Sequence, residues 1–162
     1  MRRLSRKGIA TLAVLLFSLI FVKGAFPQAM SHWSNAELMG RAKHLQQQAA
    51  EKGNASEILE KYPHHFTMLA FRNRSGGGEV HQNYADVFFI LDGRTTLVTG
   101  GEVVDPKSTG PGETLGASVK GGSRQEVKAG DVVHIPAGMP HQMVLGEGDT
   151  VSYFVVKAEE TR

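Results

Sequence analysis

From residue 64 onward the sequence is a succession of short segments, HFTMLAFR, EVHQ, DVFFIL, TTLVT, GASVK, RQEVK, DVVHI, HQMVL and VSYFVVK, with turn-forming residues such as glycine between them. Short runs rich in β-branched and aromatic residues read as strands when turn signals bound them, and many in succession specify a sandwich or small barrel. An all-β domain over residues 64–157 is therefore expected, with 158–162 as a C-terminal tail. In DVFFIL, alternation puts Asp86, Phe88 and Ile90 on one face and Val87, Phe89 and Leu91 on the other, so both faces are apolar. Such a strand must be covered twice, and its outer face is expected to pack under N-terminal helices or against another subunit. Asp92-Gly93 predicts a tight hairpin between DVFFIL and RTTLVT, because glycine accepts positive φ without strain. DPKSTGPGETLG, residues 105–116, is the longest break in the pattern and reads as a loop, either binding or connecting.

Residues 30–63 have a different character. SNAE, Ser34 to Glu37, has the form of a capping box, and Leu38, Met39, Ala42, Leu45 and Ala49 follow near 3.6-residue spacing. The pattern predicts a helix to about Glu51 with Gly53 as its stop, and a second short helical piece, ASEILEKY, before Pro63.

Residues 1–29 read as a signal peptide: a basic head, MRRLSRK, precedes the apolar run IATLAVLLFSLIFV at 9–22. As a helix that run would rise about 21 Å, short of the roughly 30 Å core of a bilayer. Gly24 and Ala29 are the candidate cleavage ends, and the alternative is an uncleaved membrane anchor. The expected location is periplasmic or secreted.

The formal charge of +2 comes from that leader. Without Arg2, Arg3, Arg6, Lys7 and Lys23, 13 of the 18 basic residues face 16 acids, a net of −3. A nucleic-acid binder has the opposite balance. The chain has no cysteine, so disulfides and thiolate metal sites are excluded and any metal must be held by nitrogen and oxygen. No Gly-x-Ser-x-Gly elbow supports a serine hydrolase, and Gly76, Gly77 and Gly78 precede no phosphate-binding helix and read as a flexible bend.

The most specific stretch is GDVVHIPAGMPH, residues 130–141, in which Gly130, Pro136, Gly138 and His141 stand at the spacing G-x5-P-x-G-x2-H. Gly130-Asp131 turns the chain into a strand, Pro136 stiffens its exit and Gly138 permits the reversal that brings His141 to the mouth of a returning strand. This resembles the second motif of the cupins, with Leu145 where that motif ends in asparagine, a position that concerns packing. The cupin first motif has two histidines one residue apart, then a glutamate and a glycine. The register ending on Gly93 puts Asp86 at the glutamate and His81 at the second histidine, with Glu79 at the first, so that it reads E-x-H-x4-D-x6-G. A register through Asn83 would put Val87 or Phe88 where the acid belongs.

The resemblance implies a double-stranded β-helix, the jelly-roll cupin barrel, often dimeric, with a metal and a substrate in its mouth. It also implies Glu79, His81, Asp86 and His141 as metal ligands. Two imidazoles and two carboxylates suit a divalent first-row ion, manganese, iron, nickel or zinc. The alternatives are Glu79 as a solvated loop acid and Asp86 as a turn cap. His134 either lines the pocket or bonds a neighbouring strand; His64 and His65 point to opposite faces, and His32 and His44 read as surface residues.

Three functional expectations follow. The first is an exported metallo-cupin, a metal-dependent oxygenase or isomerase, acting on a small organic molecule. The second is a non-catalytic barrel binding a small ligand or metal for sensing, storage or uptake. The third is a partner in an envelope complex, docking through the outer face of DVFFIL.

Overall fold

The computed structural model describes residues 30–160, so the expected signal peptide lies outside the described residues. Among those described, no helix is long and apolar enough to cross a membrane. The first element is α1 (Asn35–Gln48), and it begins at the expected capping box. The Ser34 hydroxyl accepts from the Glu37 amide at 3.2 Å, while the Glu37 carboxylate accepts from the Ser34 amide at 2.9 Å. Two of the helix's four orphan donors are satisfied in this way. The helix ends before Glu51, and Gly53, at φ +84°, turns the chain away.

The second expected helix is instead a strand, β1 (Asn54–Lys61), paired antiparallel with β2 (His65–Arg72). Ala55 and Leu59 are four apart, a spacing that suits one face of a helix and also one face of a strand. Both pack against the underside of α1. The exposed edge of β2 supplied a partner, and pairing overrode the helix propensity of SEILEK.

The remaining strands are β3 (Gly78–His81), β4 (Tyr84–Thr99), β5 (Glu102–Val104), β6 (Lys107–Gly110), β7 (Glu113–Gly116), β8 (Ser118–Lys120), β9 (Ser123–Lys128), β10 (Val132–Ile135), β11 (His141–Val144) and β12 (Val151–Glu159). Of the twelve strands among the described residues, ten form one sheet in the order β1-β2-β12-β4-β11-β3-β7-β6, with β9 and β10 also on β4, while β5 pairs with β8. Every pairing is antiparallel. β12 continues to Glu159 and the Glu160 amide donates to the Asn83 carbonyl, so residues 158–160 of the expected tail pair with the sheet, while 161–162 lie outside the described residues.

β4 sets the architecture, and it corrects the expected hairpin. Its first half pairs with β12 and β10, its second half with β9 and β11, so a single strand passes from one sheet into the other. At the corner a bulge leaves Leu91 without a register partner on β12, and Gly93 sits at φ +76°. A Cβ there would lie 1.9 Å from the Thr150 carbonyl oxygen, so only glycine fits. The bulge also flips the inward parity: Asp86, Phe88 and Ile90 are buried before it, Thr95 and Leu97 after it. Positive φ at Gly93 was legible, but it served a bend and not a reversal.

Two apolar layers result. Phe88, Ile90, Leu97, Ile135, Met143 and Val155 fill the barrel with others, and Leu145 packs against them. Leu38, Leu45, Leu69 and Phe71 form a second layer between α1 and the outer face of the sheet. Burial of each such side chain contributes about 1.5–3 kcal/mol. Leu91 and Phe154 join that layer, so α1 covers part of the two-faced strand as expected. Phe89 stays 39% exposed.

Candidate metal centre

The site is built on β3, which lies between β11 and β7. Glu79 and His81 are two residues apart and share a face. His141 on β11 stands opposite Glu79, and Glu113 on β7 stands opposite His81. The two motifs are pinned together, because the Gly138 amide donates to the His81 carbonyl at 2.8 Å.

Gly76 and Gly77 lead into β3 and Gly78 opens it, and the latter two pack too closely for a side chain. A Cβ at Gly77 would lie 2.3 Å from the Gly116 carbonyl oxygen, and one at Gly78 would lie 2.5 Å from that of Ser118. Their bare backbones let β3 sit tightly against its neighbours and hold Glu79 and His81 in register.

Glu79, His81 and His141 each offer a ligand atom, all within 4.8 Å of one another. Hydrogen bonds on the far side of each ring set both imidazoles. His141 Nδ1 lies 3.1 Å from the Met139 carbonyl oxygen, which can only accept, so Nδ1 carries the proton and Nε2 keeps its lone pair. His81 Nδ1 bonds the Glu113 carboxylate, which has the same effect. His81 Nε2 is buried without a hydrogen-bond partner, 3.5 Å from Glu79 Oε2. A buried polar atom left unsatisfied costs about 1–3 kcal/mol, and here it points at a carboxylate and a second imidazole. Metal-ligating histidines are oriented by just such bonds at the other nitrogen. The donor set therefore fits a divalent transition ion.

Asp86 reaches the same place but is not free there. Its Oδ2 lies 3.5 Å from His81 Nε2 and 3.6 Å from His141 Nε2. Lys157 Nζ donates to Oδ1 at 2.7 Å and to Oδ2 at 2.9 Å, with Asp86 only 2% exposed and the Lys157 side chain 16%. Asp86 is thus no turn cap, and it stands beside the three donors as a carboxylate already engaged by a cation. Glu79 is no solvated loop acid either, since Arg72 Nη2 donates to its Oε1 at 3.3 Å.

Residues outside the two motifs complete the centre. Glu113 comes from the segment expected to be a loop, which forms the β6–β7 hairpin around Pro111-Gly112, with Gly112 at φ +76°. Proline followed by a positive-φ glycine is a turn signature that was present in the sequence. Arg72, Tyr153 and Lys157 end or line strands that carry no motif, and only the register places them here. Tyr153, buried in the barrel, accepts from Arg72 Nε at 3.3 Å.

These neighbours set the protonation states. Burial opposes ionisation of Glu79, yet His81, His141 and Arg72 outweigh it and bring its carboxyl down to about 2. Burial also opposes charging His81, but Glu79, Asp86 and Glu113 prevail and raise it above the ordinary imidazole value. In His141 burial wins and lowers it. Burial raises the Tyr153 phenol against the pull of Arg72.

The other histidines stand apart. His134 lies outside the barrel, 3.9 Å from Glu160, so it does not line the pocket. His64 bonds Glu159, His65 stacks on Tyr62, and His32 and His44 are exposed.

No family model and no curated protein matches the sequence. Solved structures do. The cupin domain of Schizosaccharomyces pombe Cnp3 aligns with a TM-score of 0.50 at 12% identity, covering 66% of this chain and 65% of that one. A conserved protein with a double-stranded β-helix domain from Klebsiella pneumoniae aligns at 0.50 and 12%, covering 67% and 79%. The fold of this chain is the double-stranded β-helix of the cupins. The polyketide cyclase RemF from Streptomyces resistomycificus is also similar, at 0.48 and 19% over 68% and 69% of the two chains. At such identities the likeness concerns the fold alone. Within this barrel Glu79, His81 and His141 meet, with Asp86 beside them.

Proposed function

We propose that this cupin is an exported single-domain protein that holds a divalent transition ion, manganese, iron, nickel or zinc, and acts on a small organic molecule. Glu79, His81 and His141 would hold the ion, with Asp86 beside them as a carboxylate that Lys157 holds. The observation that carries this reading is the orientation of both Nε2 atoms by Glu113 and the Met139 carbonyl, which leaves His81 Nε2 buried and unbonded. A bound ion would supply a Lewis acid or a centre for oxygen activation, as a metal-dependent oxygenase or isomerase requires. The chain's own residues fix the two rings, keep Glu79 ionised through His81, His141 and Arg72, and line a cavity of about 200 Å³ beside the ligands.

Metal analysis of protein purified without chelator or histidine tag tests this. Near-stoichiometric transition metal is expected, lost in His81→Ala and His141→Ala. Metal-free protein that also fails to take up zinc or manganese on titration would refute it.

The second reading is a non-catalytic barrel for sensing, storage or uptake. It draws support from the cations that already neutralise Glu79 and Asp86, since a site at rest without an ion is suited to reversible loading. The leader supports a periplasmic or secreted location, with membrane attachment only if that segment is retained. A homodimer is supported by the outer sheet face, where Val132 on β10 lies beside Phe89 on β4, 61% and 39% exposed.

A further inference from the structure

Arg72 stands where two cavities meet. The inner one, about 200 Å³, lies within the barrel against Phe88, Met143, Val155 and Lys157. The outer one, about 420 Å³, opens beneath the β6–β7 hairpin and is lined by Ser75, Thr109 and Thr114 among others. Arg72 and Glu79 line both, with Asn54. Two edges of the guanidinium are fixed: Nε donates to Tyr153 and Nη2 to Glu79. Nη1 makes no hydrogen bond among the described residues, although the side chain is only 17% exposed. That edge is open because position 76 has no side chain, since a Cβ on Gly76 would lie 2.8 Å from Nη1.

We propose that the ligand of this barrel is a small organic carboxylate, bound by the open Nη1 edge of Arg72 with its body in the inner cavity. A guanidinium already held in one plane by two partners is pre-organised to take a carboxylate. The anions nearby do not compete for it: Glu79 shares the other edge, Asp86 is held by Lys157 and Glu113 by His81. Lys157 adds a second positive charge on the cavity wall. A neutral amide can accept from Nη1 through its carbonyl oxygen, but only a carboxylate makes that bond charge-assisted, which roughly doubles its strength. Size limits the ligand as well. A cavity of about 150 Å³ takes benzene, so this one takes roughly six to ten non-hydrogen atoms. The inference rests on the metal reading for what the ligand's far end meets, but not for the contact with Arg72.

Butyrate, hexanoate and benzoate, each against its neutral amide, provide the test. Binding is measured by calorimetry on metal-free and on zinc-loaded protein, with zinc uptake titrated on the same samples. At least one acid is expected to bind tenfold or more tightly than its amide in both states, with the preference lost in Arg72→Gln. Gly76→Ala keeps the charge but places a methyl against Nη1, and should weaken the acid by about tenfold. Equal binding of acids and amides, no binding of either, or a preference that survives Arg72→Gln would overturn the proposal. Should Arg72→Gln not fold, unchanged affinity in Gly76→Ala overturns it. Zinc uptake without an acid preference defeats this inference alone. A preference without zinc uptake defeats the metal reading and leaves this one standing.

Discussion

Replacing Lys157 by methionine removes a charge while keeping most of the side chain's length, and isolates what the buried ion pair contributes. Asp86 is 2% exposed and meets no other cation as close as Lys157 Nζ. Removing one member of a buried pair costs about 3–5 kcal/mol, because the remaining charge is left uncompensated. For a domain of this size each kcal/mol lowers the melting temperature by roughly 3–5 °C, so Lys157→Met should melt roughly 10–20 °C below the wild type in chelator. Asp86→Asn/Lys157→Met leaves no charge behind and should recover to within about 1 kcal/mol of the wild type, a strongly non-additive cycle. Zinc adds a second axis. With Lys157 gone, Asp86 Oδ2 stands unengaged, 3.5 and 3.6 Å from the two Nε2 atoms, and can join as a ligand. The single variant should therefore gain more melting temperature from zinc than the wild type does. Circular dichroism melts with chelator and with zinc read all four proteins. A Lys157→Met protein within about 1 kcal/mol of wild type, or a double variant no better than the single, would refute the reasoning.

Glu113→Ala frees the His81 ring and should weaken zinc binding about 10–100-fold by calorimetry, as loss of a bond orienting a metal-ligating histidine does. Metal affinity should also fall with acidification. A proton on His81 Nε2 competes with the ion, and because its pKa is raised above 6.5 the decline starts above that pH, at up to about tenfold per unit. His141, lowered by burial, adds to the loss only at lower pH, so an affinity flat from about pH 8 to 6 would count against this assignment. Gly93→Ala forces a Cβ against the Thr150 carbonyl at positive φ and should cost at least about 1–3 kcal/mol in urea denaturation, an effect absent from Gly40→Ala, whose Cβ meets nothing within 4 Å.

The sequence carried the fold because strand signals are local. Turn residues and alternation marked eight of the twelve strands among the described residues, missing β1, β5, β6 and β7, and the spacing of Gly130, Pro136, Gly138 and His141 fixed one corner of the site. The failures share a cause, which is that pairing partners are not local. SEILEK has helix formers, and only the open edge of β2 made it a strand. Asp92-Gly93 has turn chemistry, and only the rows of partners on either side of β4 made it a bend. The same blindness hid Glu113, Arg72 and Lys157, whose roles come from register across strands distant in sequence.

Those three residues decide how the site behaves, more than the ligands themselves do. Three carboxylates, Glu79, Asp86 and Glu113, face two cations, Arg72 and Lys157, leaving a net charge of −1 when both imidazoles are neutral. An uncompensated trio of carboxylates, Asp86 buried and Glu79 and Glu113 half-buried, would draw any divalent ion strongly but would be costly to fold without one. Here the cations carry much of that burden, so the barrel can fold before loading, and an arriving ion finds both Nε2 atoms already aimed. The cations then have a second consequence. An ion of charge +2 turns the local balance from −1 to +1, and an anion becomes the ligand that restores neutrality. Metal loading and carboxylate binding should therefore favour each other, with zinc tightening benzoate and benzoate tightening zinc by the same factor, as linkage requires. Because Arg72 supplies the anion contact and Glu79 bridges it to the ion, that mutual factor should collapse toward one in Arg72→Gln even though zinc still binds.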